Sequence, residues 1–384
     1  MHNSLDVRVH DTIVGTLSAL PEKFVFTYSN ENSDFISLTM PVRVEQYTHN
    51  KLHPIFEMHL PEGYLLSIIK KHFSKLTKID DFGLLQLMAS SVHGRISYRE
   101  KKSSEKALEL KDLLHPSSEN LFEELVSRFA LRSALSGVQP KVLATIEDKA
   151  TLKYDDYIVK SWGEEYPELA LNEYYCMKIL QYSSIEVPEF YISSDEKLFI
   201  MKRFDIVENR VKLGFEDMCV LQAKQRDDKY EGSYEQIAKT IKIFVSPNHK
   251  KSSLQQFFKM VVINNIIQNG DGHLKNFGLL YHNINDIKIS PAYDVVSTTH
   301  YIRNDIPALH LLGSKKWWKK KYLIRFALES CDLSSFEAHK LYDECILAAK
   351  RVGKEIELRV TDEKKSEKIK LLNHLLGLIS TLEI

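Results

Sequence analysis

The segment Asp271-Gly-His-Leu-Lys-Asn276 sets a carboxylate and a carboxamide five residues apart, and Asp294 adds a second carboxylate eighteen residues after Asn276. This set suits a magnesium nucleotide. One Asp can orient an attacking hydroxyl and accept its proton, while the Asn and the second Asp can hold metal between the phosphates. The chemistry implied is phosphoryl transfer. Asn269-Gly-Asp-Gly272 is also ordinary turn chemistry, so its surroundings must separate a catalytic loop from a solvated turn.

Those surroundings favour a mount for chemistry. Phe257–Asn269 is apolar on most of its surface and predicts a buried helix that stops at Asn269-Gly270. Lys288–Asp294 reads as a short strand ending in an exposed carboxylate, although a lone Asp there is more often a cap. Lys160 ends the β-run Tyr157–Lys160, where a lysine can neutralise nucleotide phosphates and Glu173 in the next helix can hold its ammonium. An edge lysine and a surface glutamate are the plain alternative. Ser136-Gly-Val-Gln-Pro-Lys141 is not a Walker A loop, but Gly137 and its neighbouring N–H groups could cover phosphates, with Lys141 as an added cation.

Two further motifs compete for notice. Asp81-Phe-Gly83 spells a kinase metal motif but lies far upstream of Asp271, so Asp80-Asp81 is expected to cap a helix and Phe82 to enter the core. Lys315-Lys-Trp-Trp-Lys-Lys-Lys321 could meet nucleic-acid phosphates or an acidic partner; a helix with buried tryptophans and solvated lysines is the commoner outcome.

At 384 residues the chain exceeds one ordinary core, and two or three domains or lobes are expected. Its 52 basic and 52 acidic residues balance, which argues against bulk attraction to nucleic acid or membrane. Cys176, Cys219, Cys331 and Cys345 form no CxxC pair and suggest neither a zinc site nor a disulfide framework. No secretory leader or bilayer-length apolar run is evident, so a reducing cytoplasmic compartment and no membrane contact are expected.

Alternation over residues 5–45 predicts strands at Val7–Val9, Thr12–Leu17, Phe24–Tyr28 and Ile36–Met40. Helices are expected from Pro61 to about Phe73, from Asp81 to about Ser90 and over 118–129. A β-rich block follows, at Val142–Ile146, Tyr157–Lys160, Phe190–Ile192 and Leu198–Met201, interrupted by a helix at about Leu169–Gln181. Beyond about residue 206 the pattern is mostly helical, including 233–243, 254–269, 335–350 and 366–382. The fold class expected is α+β: a protein-kinase-like bilobal fold, with a β-rich N-lobe and helical C-lobe, preceded by an additional N-terminal β-rich subdomain. Its parts would be residues 1–110, 111–205 and 206–384.

As an ordered set these motifs resemble the HipA family of bacterial serine/threonine kinases, the toxin halves of HipBA toxin–antitoxin modules. The resemblance spans nearly the whole chain. Val14-Gly-Thr-Leu17, Met40-Pro41, Leu60-Pro-Glu-Gly63 and Asp81–Leu85 look like the family's N-terminal subdomain. Ser136–Lys141, Asn172–Cys176, Arg203-Phe-Asp205, Asp271–Asn276 and Tyr293-Asp-Val295 look like its kinase part.

The resemblance implies that Asp271 is the catalytic Asp, that Asn276 and Asp294 bind Mg²⁺, and that Lys160 contacts the phosphates of ATP. It makes Ser136, Gly137, Val138, Gln139, Pro140 and Lys141 the phosphate-covering loop. Lys202, Arg203 and Phe204 become the hinge at adenine, and His273 and Lys275 line the nucleotide site. Family members phosphorylate a serine of an aminoacyl-tRNA synthetase, such as glutamyl-tRNA synthetase, and bind a helix-turn-helix antitoxin, HipB, that contacts operator DNA. A regulatory serine near the loop is autophosphorylated in the family; here the farther position is Ala134, which leaves Ser136 as the candidate. A phosphotransferase acting on a small molecule or lipid, and a largely non-catalytic co-repressor working with a DNA-binding partner, are the alternatives.

Overall fold

The computed structural model describes residues 4–31, 34–60, 80–88, 94–98, 110–116, 141–148, 153–161 and 166–382. Ser133–Pro140 and the expected helices at 61–73 and 118–129 lie outside these residues. The chain divides into two compact units. The first comprises Met1–Ser161, Ser193–Asp228 and Leu280–Ile284, and the second Trp162–Ile192, Lys229–Leu279 and Asn285–Ile384.

The first unit opens with strands β1 (Ser4–Val9), β2 (Thr12–Leu20) and β3 (Lys23–Tyr28), joined by tight turns and paired antiparallel as expected. β4 (Tyr47–His49) and β5 (Ile96–Ser97) complete the order β4-β3-β2-β1-β5. Val7, Val9, Leu17, Phe26 and Tyr28 face inward and are buried, the two-residue period of a sheet with one covered face. Gly15, opposite Tyr28, has no room for a side chain: a Cβ would stand 2.5 Å from the ring of Phe26.

Ile36–Met40 is not the strand its alternation suggests. Met40 N–H bonds back to Ser37 O, and the Tyr28 hydroxyl accepts from Ile36 N and donates to Met40 O. Side-chain hydrogen bonds from Tyr28 and Glu216 satisfy this backbone, so the segment closes as a turn with Ile36 and Met40 buried.

Further along the unit, β6 (Lys141–Asp148) and β7 (Lys153–Lys160) pair antiparallel, with Lys141 opposite Lys160. The strand Phe199–Lys202 joins the other edge of β7. Asp80 caps the helix Asp81–Met88 by accepting from Gly83 N at 2.8 Å, and Phe82 is buried, both as expected. Asp81 pairs with Arg226.

The second unit is mainly helical. Leu169–Tyr182, Tyr234–Phe244, Pro247–Ile266, Lys320–Ser330, Ser335–Asp362 and Ser366–Ser380 are its helices. Ser233 with Gln236 and Ser334 with Glu337 form capping boxes, which fix two of the starts. Pro247 at the first helical position carries Pro247–Ile266 seven residues upstream of the start expected at 254, and the Ser334-capped helix runs on to Asp362 rather than ending near 350. Phe257, Phe277 and Phe326 are fully buried, with Phe257 edge-on to Phe277 at 5.5 Å and to Phe326 at 6.1 Å. No helix among the described residues is long and apolar enough to cross a membrane.

Candidate active site

The helix Pro247–Ile266 buries Phe257, Phe258, Met260, Val261, Val262 and Ile263, which makes it a rigid post. It stops through Asn264 rather than through the expected Asn-Gly pair. Gln268 takes the left-handed conformation (φ 52), and Asn269 returns two hydrogen bonds to Asn264, N to O at 2.9 Å and Nδ2 to Oδ1 at 3.1 Å. Asn269 Oδ1 then accepts the amide of Asp271 at 3.1 Å. Gly270 donates to Thr298 Oγ1 at 2.7 Å, and that hydroxyl donates to Asp305 Oδ2 at 2.5 Å. A Cβ on Gly270 would fall 2.0 Å from Asp305 Oδ2, so glycine lets the carboxylate approach this closely.

The side chain of Asp271 is 39% exposed, open enough to meet a substrate. The Tyr230 hydroxyl donates to its Oδ1 at 2.8 Å, and His273 Nε2 lies 3.9 Å from the same oxygen. Tyr230 and His273 meet edge to face at 5.2 Å, which fixes both rings beside the carboxylate. Leu274–Asn276 forms one 3₁₀ turn, anchored by fully buried Leu274, whose amide donates to Lys229 O at 3.0 Å.

Asn276 faces Asp294 directly. Its Nδ2 donates to Asp294 Oδ2 at 3.1 Å, while its Oδ1 accepts from His273 N at 3.1 Å. Asp294 is not a strand-end residue as expected: its φ is 59, a left-handed turn that the short Asp side chain tolerates and that aims the carboxylate at Asn276. Tyr293 secures the same register by donating to Lys275 O at 2.7 Å. Asn172 staples the segment beyond Asp294 to the helix Leu169–Tyr182. It accepts Ser297 N at 2.9 Å and donates to Ser297 O at 2.9 Å.

Asp271, His273, Lys275, Asn276 and Asp294 are thus brought together within the second unit. Lys275 and Asn276 are buried, as is Glu173 in its helix. In the first unit, Lys160 is 3% exposed at the end of β7, with its ammonium 5.7 Å from the ring centroid of Phe199. Lys202 ends the strand Phe199–Lys202, Arg203 forms a buried ion pair with Asp205, and Phe204 packs edge-on to Phe215 at 5.4 Å. Lys141 is described by its backbone pairing, and Ser136–Pro140 lie outside the described residues. Tyr230, Thr298 and Asp305, which no motif marks, also build the site. Tyr230 sits 41 residues before Asp271 in a polar loop, and its one sequence signal is a lone aromatic in that loop.

An oxygen-only set of Asp294 carboxylate and Asn276 carbonyl suits a hard divalent cation such as Mg²⁺. Asn276 Nδ2 faces Asp294 and its Oδ1 accepts from His273 N, so a cation held by both side chains would replace the Nδ2–Asp294 hydrogen bond.

Comparison with known proteins identifies the family. The HipA-like C-terminal domain model matches residues 133–353, and the HipA N-terminal domain model matches residues 5–99. The chain belongs to the HipA family. This HipA-family chain is 27% identical over 350 residues to the protein named "Putative kinase Y4dM" of Sinorhizobium fredii (strain NBRC 101917 / NGR234), covering 81% of each chain. It is 30% identical over 203 residues to a protein named "Putative kinase" of Haemophilus influenzae (strain ATCC 51907 / DSM 11121 / KW20 / Rd), covering 48% of this chain and 59% of the other. Its fold matches that of Shewanella oneidensis MR-1 HipA, solved with HipB and its operator DNA. The TM-score is 0.72 at 19% identity, over 98% of this chain and 96% of that one. The α+β, kinase-like fold class expected from the sequence therefore holds.

Proposed function

We propose that this HipA-family chain is an ATP-dependent serine/threonine protein kinase and the toxin of a toxin–antitoxin pair. One observation carries the proposal: Asp271, steadied by Tyr230, stands in the same turn as Asn276, which is hydrogen-bonded to Asp294. Two carboxylates and an amide so fixed serve phosphoryl transfer, and a scaffold has no physical need of them. The names of the two relatives support the same chemistry.

In the mechanism that follows, Asp271 orients the acceptor hydroxyl and takes its proton as oxygen attacks the γ-phosphorus. The bond from that phosphorus to the β,γ-bridging oxygen breaks, ADP leaves, and the phosphoryl group passes to the hydroxyl. Asn276 and Asp294 would hold Mg²⁺, which neutralises phosphate charge when bound. Lys160 is assigned to the phosphates, and Ser136–Lys141 to the covering loop. Lys202, Arg203 and Phe204 are assigned to adenine, and His273 and Lys275 to the lining of the nucleotide site. The polypeptide would be organised as 1–110, 111–205 and 206–384, with Ser136 as the autophosphorylation site.

The solved HipA relative, with HipB and operator DNA, supports a helix-turn-helix antitoxin as partner, with DNA reached through that partner. We assign the chain to the cytoplasm and its target to the translation machinery, such as an aminoacyl-tRNA synthetase. Phosphoproteomics of cells expressing wild type against Asp271→Gln tests the target. One or a few serine sites that appear with wild type alone are expected; identical phosphoproteomes would reject the assignment.

A further inference from the structure

Within the second unit a cleft of about 540 Å³ opens beside the catalytic loop. Gln268, His300, Arg303, Trp317 and His374 are among its lining residues, with Asp305 also in the wall. The wall is bonded to the loop that carries Asp271. Thr298 links Gln268 O, Gly270 N and Asp305 Oδ2 through its hydroxyl, and Gly270 packs against the Asp305 carboxylate. An occupant of the cleft therefore lies one packing layer from the residue that precedes Asp271.

The chemistry of the lining points to an anion. Arg303 is exposed and meets no carboxylate among the described residues. The one acid in the wall is already committed: Asp305 Oδ2 accepts from Thr298 and Oδ1 from Ile306 N at 2.9 Å. His374 Nε2 is within 3.1 Å of Ser297 Oγ and 3.2 Å of Thr299 Oγ1, and its ring is 5.3 Å from that of His300. Burial holds both imidazoles below the ordinary histidine range, with Lys370 adding to the effect at His300 and Glu367 opposing it. The cation that lines the cleft is Arg303.

The Lys315–Lys321 run exposes Lys316, Lys319 and Lys321 as expected but is not helical throughout. Helix begins only at Lys320. Before it, Asn265 clamps both backbone groups of Trp318, accepting N at 2.6 Å and donating to O at 2.9 Å. Trp317 donates its indole N–H to Asp305 O at 3.1 Å, and Lys315 donates to Tyr230 O at 3.1 Å. The basic segment is thereby tied to the cleft wall and to the tyrosine that holds Asp271.

We propose that this cleft is a substrate subsite that recognises an acidic side chain near the phosphorylated serine or threonine of a polypeptide, with Arg303 as its specificity determinant. The proposal rests on the kinase reading for its place beside the acceptor. A single nucleic-acid strand suits the site less well: it needs open aromatic faces along a continuous basic groove, whereas the Trp317 N–H is taken and Lys316 lies 4.2 Å over the Trp318 ring.

Fluorescent peptides of equal length, each with one serine flanked by Glu, Gln or Lys, and a single-stranded uridine RNA serve as probes. Each is titrated into the full-length protein by anisotropy without nucleotide. The Glu peptide should bind roughly tenfold more tightly than the Gln peptide, with Arg303→Glu abolishing the preference and Arg303→Lys keeping most of it. Arg303 is exposed, so neither substitution disturbs the core. Equal affinity for Glu and Gln peptides, a preference unmoved by Arg303→Glu, or RNA as the tightest probe would overturn the proposal. Binding needs no transfer of phosphate. Glu-selective binding without labelling of serine from ATP would reject the kinase reading and keep the subsite, while serine labelling without Glu preference would do the reverse.

Discussion

Tyr230 and Asn269 hold Asp271, the residue to which the proposed mechanism gives the acceptor hydroxyl. The Tyr230 hydroxyl supplies a charge-assisted hydrogen bond to Oδ1, and Asn269 fixes the backbone. Tyr230→Phe keeps the ring against His273 and removes only the donor, so kcat should fall about tenfold with KM for ATP unchanged, as read in a steady-state transfer assay. Equal loss in kcat and rise in KM would make Tyr230 a nucleotide contact instead. The meeting of Asp271, Asn276 and Asp294 was legible in the sequence because phosphoryl transfer would need those side-chain types in that order. Tyr230, Thr298 and Asp305 were not. A hydrogen bond between residues 41 positions apart leaves no local pattern, and tyrosine, threonine and aspartate have many other uses. The aim of Asp294 was also hidden, since its left-handed φ follows from what surrounds it.

At the scale of elements, the buried helix before the loop was legible from its apolar run, and so were the first three strands from their alternation. Their ends were harder to place. Ile36–Met40 alternates like a strand, yet its backbone partners are Tyr28 and Glu216, and only tertiary structure brings Glu216 there. Glu216 is fully buried and accepts from Ser37 Oγ at 2.7 Å, Leu38 N at 2.7 Å and Tyr281 OH at 2.6 Å. Burial raises its carboxyl above the ordinary range against the pull of these donors and Arg95. Glu216→Ala would take away the acceptor of Ser37 Oγ, Leu38 N and the buried Tyr281 hydroxyl and should cost about 1–3 kcal/mol in urea unfolding, while Glu216→Gln should cost less. A neutral Ala variant would mean that water replaces the carboxylate. Gly270→Ala drives a methyl into the Asp305 and Thr298 side chains, so either they or the loop must shift. Phosphotransfer should drop at least roughly tenfold while the secondary structure persists by circular dichroism. Undiminished transfer would mean that the Gly270–Asp305 approach is not needed for the loop.

For the whole molecule, pH adds a test that involves no catalysis. His53 starts the helix Pro54–Glu57 by accepting Ile55 N on its Nδ1, which requires a neutral ring, and burial lowers its pKa from 6.5 to about 3, with His49 contributing. As pH falls through 6.5 the unfolded chain takes up this proton and the folded chain does not, so stability is lost between 6.5 and about 3. The slope for one such proton is about 1.4 kcal/mol per pH unit at most, and His53→Asn, which keeps an acceptor that does not titrate, should flatten it. An unchanged slope in thermal melts across that window would acquit His53. The two compact units divide the proposed machinery, with Asp271, Asn276 and Asp294 on one and Lys160 and Lys202–Phe204 on the other. Phosphotransfer by the intact chain therefore tests the account most directly. Purified protein is incubated with Mg²⁺ and γ-labelled ATP in a cell extract, beside Asp271→Gln of matched fold. The account predicts label on a protein serine or threonine with wild type and at least a thousandfold less with the variant, on the order of 4 kcal/mol of lost barrier reduction. Equal labelling by the two proteins would contradict it.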